Sequence, residues 1–199
     1  MKIIVIGATG TIGRPVAELL ETRHEVVRVT RSSGEYRVDI SSPDSIAALY
    51  EAVAPFDAVV CTAGAARFGP LPDLSPDDFH FSLENKLMGQ VNLVQYGLAH
   101  MNDGGSFTLT SGILSTEPMN GSAAISMVNA GLEGYARAAA LDLPRGIRIN
   151  VVSPPWVSET LVRMGRDGSQ GMPADEVARA YVASVEGQET GKVIDARKY

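Results

Sequence analysis

The sequence predicts an α/β fold, a doubly wound three-layer sandwich in which helices cover both faces of a parallel sheet of about seven strands. Short runs rich in β-branched residues recur along the chain, as expected for strands that are buried on both faces. Segments with helical spacing separate most of these runs, and this alternation is typical of strand-helix-strand units. The length of 199 residues suits one domain, and we assign residues 1–199 to a single unit.

The individual elements follow from local pattern and from turn chemistry. Pro43 suits the first turn of a helix, where its missing N–H would have no partner in any case. The predicted strands are Lys2–Ile6, Glu25–Thr30, Tyr36–Asp39, Ala58–Thr62, Ser106–Thr110, Ile147–Val152 and Lys192–Ile194. The predicted helices are Ile12–Thr22, Pro43–Val53, part of Pro76–His100, Ala123–Leu143 and Ala174–Val185.

The acidic composition limits the classes of partner. The formal net charge is −6 and the sequence pI is about 5.1, so we expect neither nucleic acid nor an anionic membrane as a ligand. No apolar run approaches a membrane span, and the amino-terminal run is too short for a signal peptide. The single cysteine, Cys61, excludes an internal disulfide and favours a cytoplasmic location. The three histidines lack metal-ligand spacing, so we expect no metal.

A glycine-rich loop, Gly7 to Gly13, directly follows the first predicted strand and opens the first helix. Glycine permits a tight turn, close approach of a diphosphate to bare backbone, and close packing of helix on strand. The helix amino terminus then offers free N–H groups and a favourable dipole to the anion. This context predicts a Rossmann-type dinucleotide site. The expected contacts are Gly7, Thr9, Gly10, Thr11, Ile12 and Gly13.

The end of the second strand indicates which dinucleotide binds. A site that prefers NAD(H) places a carboxylate there to accept bonds from the ribose hydroxyls. This chain instead has Arg31 followed by Ser32, a planar cation and a hydroxyl that suit a 2′-phosphate. We therefore expect NADP(H) in preference to NAD(H). The alternative interpretation of Arg31 is an ordinary surface arginine.

Five stretches, taken together, carry a more specific pattern. They are GATGTIG at the glycine loop, Asp39-Ile40, CTAG at Cys61–Gly64, the helical stretch Asn129–Asn150, and VVSPPWVSET before a terminal TGKVID. This combination resembles the short-chain dehydrogenase/reductase family over nearly the whole chain. The resemblance implies that Asp39 hydrogen-bonds the adenine amino group and that Ile40 contacts the adenine ring. It also implies that Ala63 and Gly64 pass beneath the adenine ribose.

The sequence departs from this family at the catalytic residues. The family uses a serine and a Tyr-x-x-x-Lys pair, but the matching positions of the long helix hold Ile125 and Asn129. Isoleucine cannot exchange a proton. Ser111 matches the family serine, and Lys86 stands where the family has an asparagine, so lysine and asparagine are exchanged. We hypothesise that Lys86 supplies the ammonium that the family's lysine would provide. The alternative for Lys86 is a solvated helix lysine, and the alternative for Ser111 is a strand-end serine that hydrogen-bonds local backbone.

The segment after the sixth strand also differs from the family. Pro154-Pro155 replaces the usual Pro-Gly, which removes a flexible backbone position beside the nicotinamide. The resemblance implies a contact of Val157 with the carboxamide and of Thr160 with a phosphate, in addition to Pro154. The stretch Leu161–Pro173 is short, so the lid over the substrate is expected to be reduced.

Three functions are compatible with this pattern. The first is an NADP(H)-dependent oxidoreductase acting on a small carbonyl/alcohol pair, with Ser111, Lys86 and Asn129 at the catalytic centre. The second is a non-catalytic NADP(H)-binding sensor or scaffold, and the third is an isomerase or epimerase that uses the bound nucleotide. The resemblance further implies a homodimer or homotetramer.

Overall fold

A computed structural model of the chain describes residues 1–199 and confirms the predicted doubly wound α/β fold. All strand pairs are parallel, in the order β3-β2-β1-β4-β5-β6-β7. β1 therefore lies between β2 and β4, where the direction of strand succession reverses and a ligand crevice opens at the carboxyl ends. The strands are β1 Lys2–Ile6, β2 Glu25–Thr30, β3 Tyr36–Arg37, β4 Phe56–Cys61, β5 Met101–Thr110, β6 Arg148–Ser153 and β7 Val193–Asp195.

Seven α-helices cover the two faces of the sheet. They are α1 Gly13–Glu21, α2 Pro43–Val53, α3 Pro76–Ser82, α4 Gly89–Gly97, α5 Ala123–Asp142, α6 Ser158–Arg163 and α7 Ala174–Glu186. None of them is long and apolar enough to cross a membrane.

Alternation along each strand divides the core into two clusters, one on each face of the sheet. Ile4 and Ile6 of β1 point into a cluster with residues of α2, α4 and α5. Ile3 and Val5 point to the opposite face, into a cluster with α1 and α7. Because both faces are covered, the central strands β1 and β4 are mostly apolar rather than alternating, as the sequence pattern indicated.

The bounds of β4, β6, β7, α1, α5 and α7 differ from the predicted ones by one or two residues, whereas β5, β3 and α6 differ for identifiable reasons. β5 begins at Met101 because Met101 pairs with Phe56 ahead of a register shift, and the glycines at 104–105 hide this start in the sequence. β3 ends at Arg37, two residues early, since it is an edge strand that pairs only with β2. The helix α6 was not predicted; its six residues are too few for a helical period to stand out.

The predicted helical region Pro76–His100 is divided into three pieces. Between α3 and α4 the chain forms a π-helical segment, Leu83–Met88, which contains Lys86. Such segments insert extra backbone into a helix and occur frequently at functional sites. The irregular turn thus coincides with the lysine that the sequence comparison singled out.

Candidate cofactor and active site

The glycine loop has no room for side chains at its two ends. Gly7 has a φ of +85°, in the left-handed region that favours glycine. A Cβ on Gly13 would lie 2.0 Å from the Gly7 carbonyl oxygen and 2.5 Å from Thr62 Oγ1. The loop is therefore closed tightly between β1, β4 and the start of α1.

The same loop leaves backbone donors free at the amino terminus of α1. Thr11, Ile12 and Gly13 donate no hydrogen bond from their N–H groups within the chain. No side chain caps the helix at Ile12 either. Three free N–H groups together with the helix dipole make an anion site suited to a diphosphate.

A cavity of about 360 Å³ lies beside this loop, across the carboxyl ends of β1, β2 and β4. Eight residues predicted to contact the cofactor line it: Gly7, Thr9, Gly10, Arg31, Asp39, Ile40, Ala63 and Gly64. Thr30 closes it beside Arg31, whereas Ser32 is exposed and lies outside the lining. The size and the polar rim suit the adenosine half of a dinucleotide.

Arg31 and Asp39 form the polar edge of this cavity. Their side chains are joined by an ion pair of 3.4 Å between Nη2 and Oδ2. The Ser41 hydroxyl and N–H, followed by Arg31, hold the pKa of Asp39 below its ordinary value. The carboxylate therefore stays ionised and able to accept a hydrogen bond, while Arg31 is 76% exposed and open to an added anion.

Lys86 lies at the opposite end of the crevice, against Gly64. A Cβ on Gly64 would lie 3.0 Å from Lys86 Cγ, so the absence of a side chain at Gly64 leaves room for the aliphatic part of Lys86. Lys86 Nζ donates to the Ser111 carbonyl oxygen at 3.1 Å. Burial lowers the pKa of Lys86 from 10.5 to about 8. The lysine is thus not a solvated surface residue, and its proton can be released near neutral pH.

The buried side chain of Gln90 fixes the Lys86 helix to the end of β5. Gln90 Oε1 accepts from Thr110 N–H at 2.8 Å, and Gln90 Nε2 donates to the Thr110 carbonyl at 3.0 Å. Thr110 immediately precedes Ser111, the residue that anchors the lysine. These two hydrogen bonds therefore fix the position of the helix that carries Lys86 relative to Ser111.

Replacing Gln90 by leucine should lower the free energy of unfolding by roughly 2–5 kcal/mol, because two buried backbone groups of Thr110 lose their partners. Denaturant unfolding measures the change. Gln95→Leu, at an exposed position of the same helix, is the matched control and should change stability little. Equal stability of the two variants would contradict the role given to Gln90.

Ser111 is buried and directed at a carboxylate that the sequence analysis did not single out. Its Oγ donates to Glu133 Oε1 at 3.0 Å, and Ser115 Oγ donates to the same oxygen at 2.6 Å. Glu133 is 4% exposed, and its other oxygen lies 3.6 Å from Arg137. A hydroxyl has one proton, so a Ser111 that donates to Glu133 can only accept from a ligand.

Asn129 presents an unpartnered acceptor in the same region. The residue is 1% exposed, and its Nδ2 donates a long bond of 3.4 Å to the Gly112 carbonyl. Its Oδ1 is buried without any hydrogen-bond partner, which is a costly arrangement unless a ligand donates to it. One helical turn earlier, Ile125 is half-buried and offers no polar group. Tyr135, further along the same helix, packs against the apolar core.

The segment after β6 contributes backbone groups. Pro154 is buried and accepts from Ile113 N–H through its carbonyl. The Val157 side chain is in the core, but its N–H makes no hydrogen bond within the chain. Thr160 is half-buried, and its hydroxyl makes no hydrogen bond within the chain. From α6, Arg163 Nη2 donates to Thr11 Oγ1 at 2.8 Å.

Sequence reasoning missed Gln90, Glu133 and Arg163. Gln90 and Glu133 lie four residues after Lys86 and Asn129, so helical spacing could have put them on the same helix faces. Their partners are on β5 and the loop after it, which no local pattern indicates. Arg163 contacts a residue 152 positions away and has no signal in the sequence. No group of three His, Cys, Asp or Glu side chains lies close enough to hold a metal ion.

Fold, glycine loop and crevice define a dinucleotide-binding protein of the Rossmann class, and comparison with known proteins gives the family. Residues 11–194 match the family model described as Enoyl-(Acyl carrier protein) reductase. The chain therefore belongs to the short-chain dehydrogenase/reductase family.

Similar proteins extend the comparison. The crystal structure of the protein lin1944 from Listeria innocua is 43% identical with a TM-score of 0.94, and the match covers 98% of both chains. A small-chain dehydrogenase in complex with NADPH is 27% identical with a TM-score of 0.86, over 98% of this chain and 95% of the other. Hydroxynaphthalene reductase of Aspergillus fumigatus is 27% identical over 152 residues, 72% of this chain but 56% of the reductase. The chain thus spans little more than half the length of that curated relative.

Proposed function

We propose that this protein is an NADP(H)-dependent oxidoreductase that interconverts a small carbonyl compound and its alcohol. The observation that carries the proposal is the placement of Lys86, a half-buried residue whose ammonium is buried, lies 3.1 Å from the Ser111 carbonyl oxygen and has a pKa of about 8. A group that titrates near the working pH, beside the family's serine, is suited to acid-base catalysis.

The residues present fit the cofactor in three places. The free N–H groups of Thr11, Ile12 and Gly13 suit a diphosphate, and the cavity beside Asp39 suits adenosine. The unpartnered Oδ1 of Asn129 would accept from a hydroxyl of the nicotinamide ribose. NADPH bound by a relative of the same fold supports this choice of cofactor. When bound, the nicotinamide supplies or takes up the hydride.

The proton that accompanies the hydride is donated or accepted by residues of this chain. Protonated Lys86 donates to the substrate oxygen as the carbonyl is reduced, and neutral Lys86 accepts that proton in the reverse direction. Glu133 holds the hydroxyl proton of Ser111, so Ser111 serves as an acceptor that orients a donor such as Lys86 or a substrate hydroxyl. Lysine thus takes over the task of the missing tyrosine.

A non-catalytic NADP(H) sensor is the second candidate, and one observation favours it. The family's tyrosine position holds Ile125, which cannot act on a substrate oxygen. The two candidates share the cofactor site and differ only in whether substrate is turned over.

Consumption of NADPH by a panel of carbonyl compounds tests the proposal. The panel should include a hydroxynaphthalene-type aromatic ketone, after the name of the hydroxynaphthalene reductase. We expect turnover of at least one compound, lost in Lys86→Met. Tight NADPH binding with no turnover across the panel would favour the sensor.

If Arg31 recognises the 2′-phosphate, the substitution Arg31→Ala should weaken binding of NADPH more than binding of NADH. Loss of a charge-assisted contact to the 2′-phosphate should weaken NADPH binding about tenfold or more. NADH has no 2′-phosphate, so its affinity should stay within about twofold and serve as the internal control. Calorimetric titration of both nucleotides measures this. Equal changes for the two would show that Arg31 does not recognise the 2′-phosphate.

A further inference from the structure

The stretch from Ser158 to Gly171 is an excursion that is closed at its base. Ser158 N–H donates to the Met172 carbonyl at 3.0 Å, and Met172 N–H donates to the Trp156 carbonyl at 2.8 Å. A Cβ on Gly171 would lie 2.6 Å from Ser158 N, so the two ends of the excursion are packed backbone to backbone. α6 occupies the first half of this excursion.

At the far end of α6, one side chain reaches the glycine loop. Arg163 Nη2 donates to Thr11 Oγ1 at 2.8 Å, a contact between residues 152 positions apart. Thr11 is one of the three residues whose N–H groups are free at the start of α1. The guanidinium therefore stands next to the place where an anion would be held.

Arg163 forms no ion pair within the chain, so its guanidinium can bind an added anion. Its hydrogen bond goes to a neutral hydroxyl, whereas both carboxylate oxygens of Glu159 on the same helix accept from Ala174 N–H at 3.1 Å. Arg14, the other arginine near the loop, lines a neighbouring cleft with Thr11, Glu18, Glu159 and Asp175, so its guanidinium lies among carboxylates. A guanidinium bonded to a hydroxyl has further N–H donors for an anion, and it binds phosphate oxygens well.

We propose that Arg163 is a ligand of the cofactor diphosphate and couples the α6 excursion to occupation of the glycine loop. The inference rests on the proposed function, since it presumes a dinucleotide there, and it adds a residue that recognises the diphosphate rather than the 2′-phosphate. The remaining N–H donors of Arg163 would hold the diphosphate beside the amino terminus of α1, and this contact would keep the excursion close to the cofactor.

The test is a set of calorimetric titrations of Arg163→Ala and the wild-type protein with NADPH, NADH and adenosine 2′-monophosphate. NADPH and NADH share the diphosphate, so both should bind about tenfold or more weakly to the variant, by the same factor. Adenosine 2′-monophosphate lacks the diphosphate and should bind equally to both proteins. Arg31→Ala should instead weaken binding of NADPH and of adenosine 2′-monophosphate, which carry the 2′-phosphate, and leave binding of NADH unchanged.

Arg179→Ala, which removes an exposed arginine of α7, is the matched control for lost charge and should bind all three ligands like the wild type. Amide exchange adds a readout of coupling: NADPH should slow exchange in residues 158–165 of the wild type but less so in Arg163→Ala. Unchanged NADPH affinity in Arg163→Ala, or weakening of NADPH and adenosine 2′-monophosphate without NADH, would overturn the inference. A wild-type protein that binds no nucleotide would instead overturn the proposed function and this inference with it.

Discussion

Gly13→Ala is expected to weaken NADPH binding by more than tenfold and to lower the free energy of unfolding by about 1–3 kcal/mol. The added Cβ would lie 2.0 Å from the Gly7 carbonyl oxygen and 2.5 Å from Thr62 Oγ1, distances that no relaxed structure retains. The loop must therefore move away from β4, and the free N–H groups of Thr11, Ile12 and Gly13 lose their common direction. Calorimetric titration and denaturant unfolding measure the two effects.

Gly134→Ala makes the same substitution in the middle of α5, where nothing lies within 4 Å of the new Cβ. Alanine is the better helix former, so this variant should be as stable as the wild type or more stable by up to about 1 kcal/mol. Its NADPH affinity should be unchanged. Wild-type affinity in Gly13→Ala would show that the glycine loop does not hold the cofactor.

Lys86→Met is expected to reduce turnover about a hundredfold or more, the usual contribution of a positioned acid or base. Binding of NADPH should change far less, because the diphosphate and adenosine contacts remain. Carbonyl reduction by the wild type should slow as the pH rises above about 8, where Lys86 loses its proton. The residual rate of Lys86→Met should lack this dependence.

The lowered pKa of Lys86 also predicts a change in stability. The folded protein releases the lysine proton near pH 8, whereas the unfolded chain keeps it up to about 10.5. Between these values the unfolded state binds more protons, so the stability of the wild type rises with pH. If Lys86→Met has a higher free energy of unfolding than the wild type at pH 7, this difference should therefore decrease as the pH rises from 8 to 10.5. Cys61 stays neutral throughout this window, because burial raises its pKa to about 12.

Two further variants separate charge from proton transfer. Lys86→Arg keeps a cation that does not titrate, so it should bind NADPH but lose turnover. Lys198→Met removes an exposed lysine and should resemble the wild type in rate and in pH dependence. Full turnover in Lys86→Met would remove Lys86 from the catalytic centre.

The sheet could be predicted from the sequence because its signals are local. Runs such as residues 3–6 are apolar throughout, and the glycine loop follows β1 without interruption. The π-helical segment at Leu83–Met88 could not be predicted, because no residue pattern distinguishes a π-helical turn from the α-helices on either side of it. The same holds for α6, whose Arg163 is placed by a contact with Thr11 across the crevice.

The candidate site divides in a similar way. The residues of the adenosine cavity follow a linear pattern, and eight of the predicted contacts line it. Ser111, Lys86 and Asn129 were singled out by comparison with a family pattern, but their hydrogen-bond roles depend on tertiary partners. Glu133, for example, accepts a hydrogen bond from the Ser111 hydroxyl, and the direction of this bond is visible only once α5 is packed against the end of β5.

A crystal structure of the protein with NADP⁺ would show whether the glycine loop and Asn129 hold the cofactor. We expect the diphosphate within about 3 Å of the N–H groups of Thr11 to Gly13, and a nicotinamide ribose hydroxyl at the same distance from Asn129 Oδ1. Lys86 should then face the open side of the nicotinamide ring. A nucleotide bound away from the glycine loop would show that the cofactor site is wrong, and a nicotinamide faced only by Ile125 and other apolar groups would show that the catalytic centre is wrong.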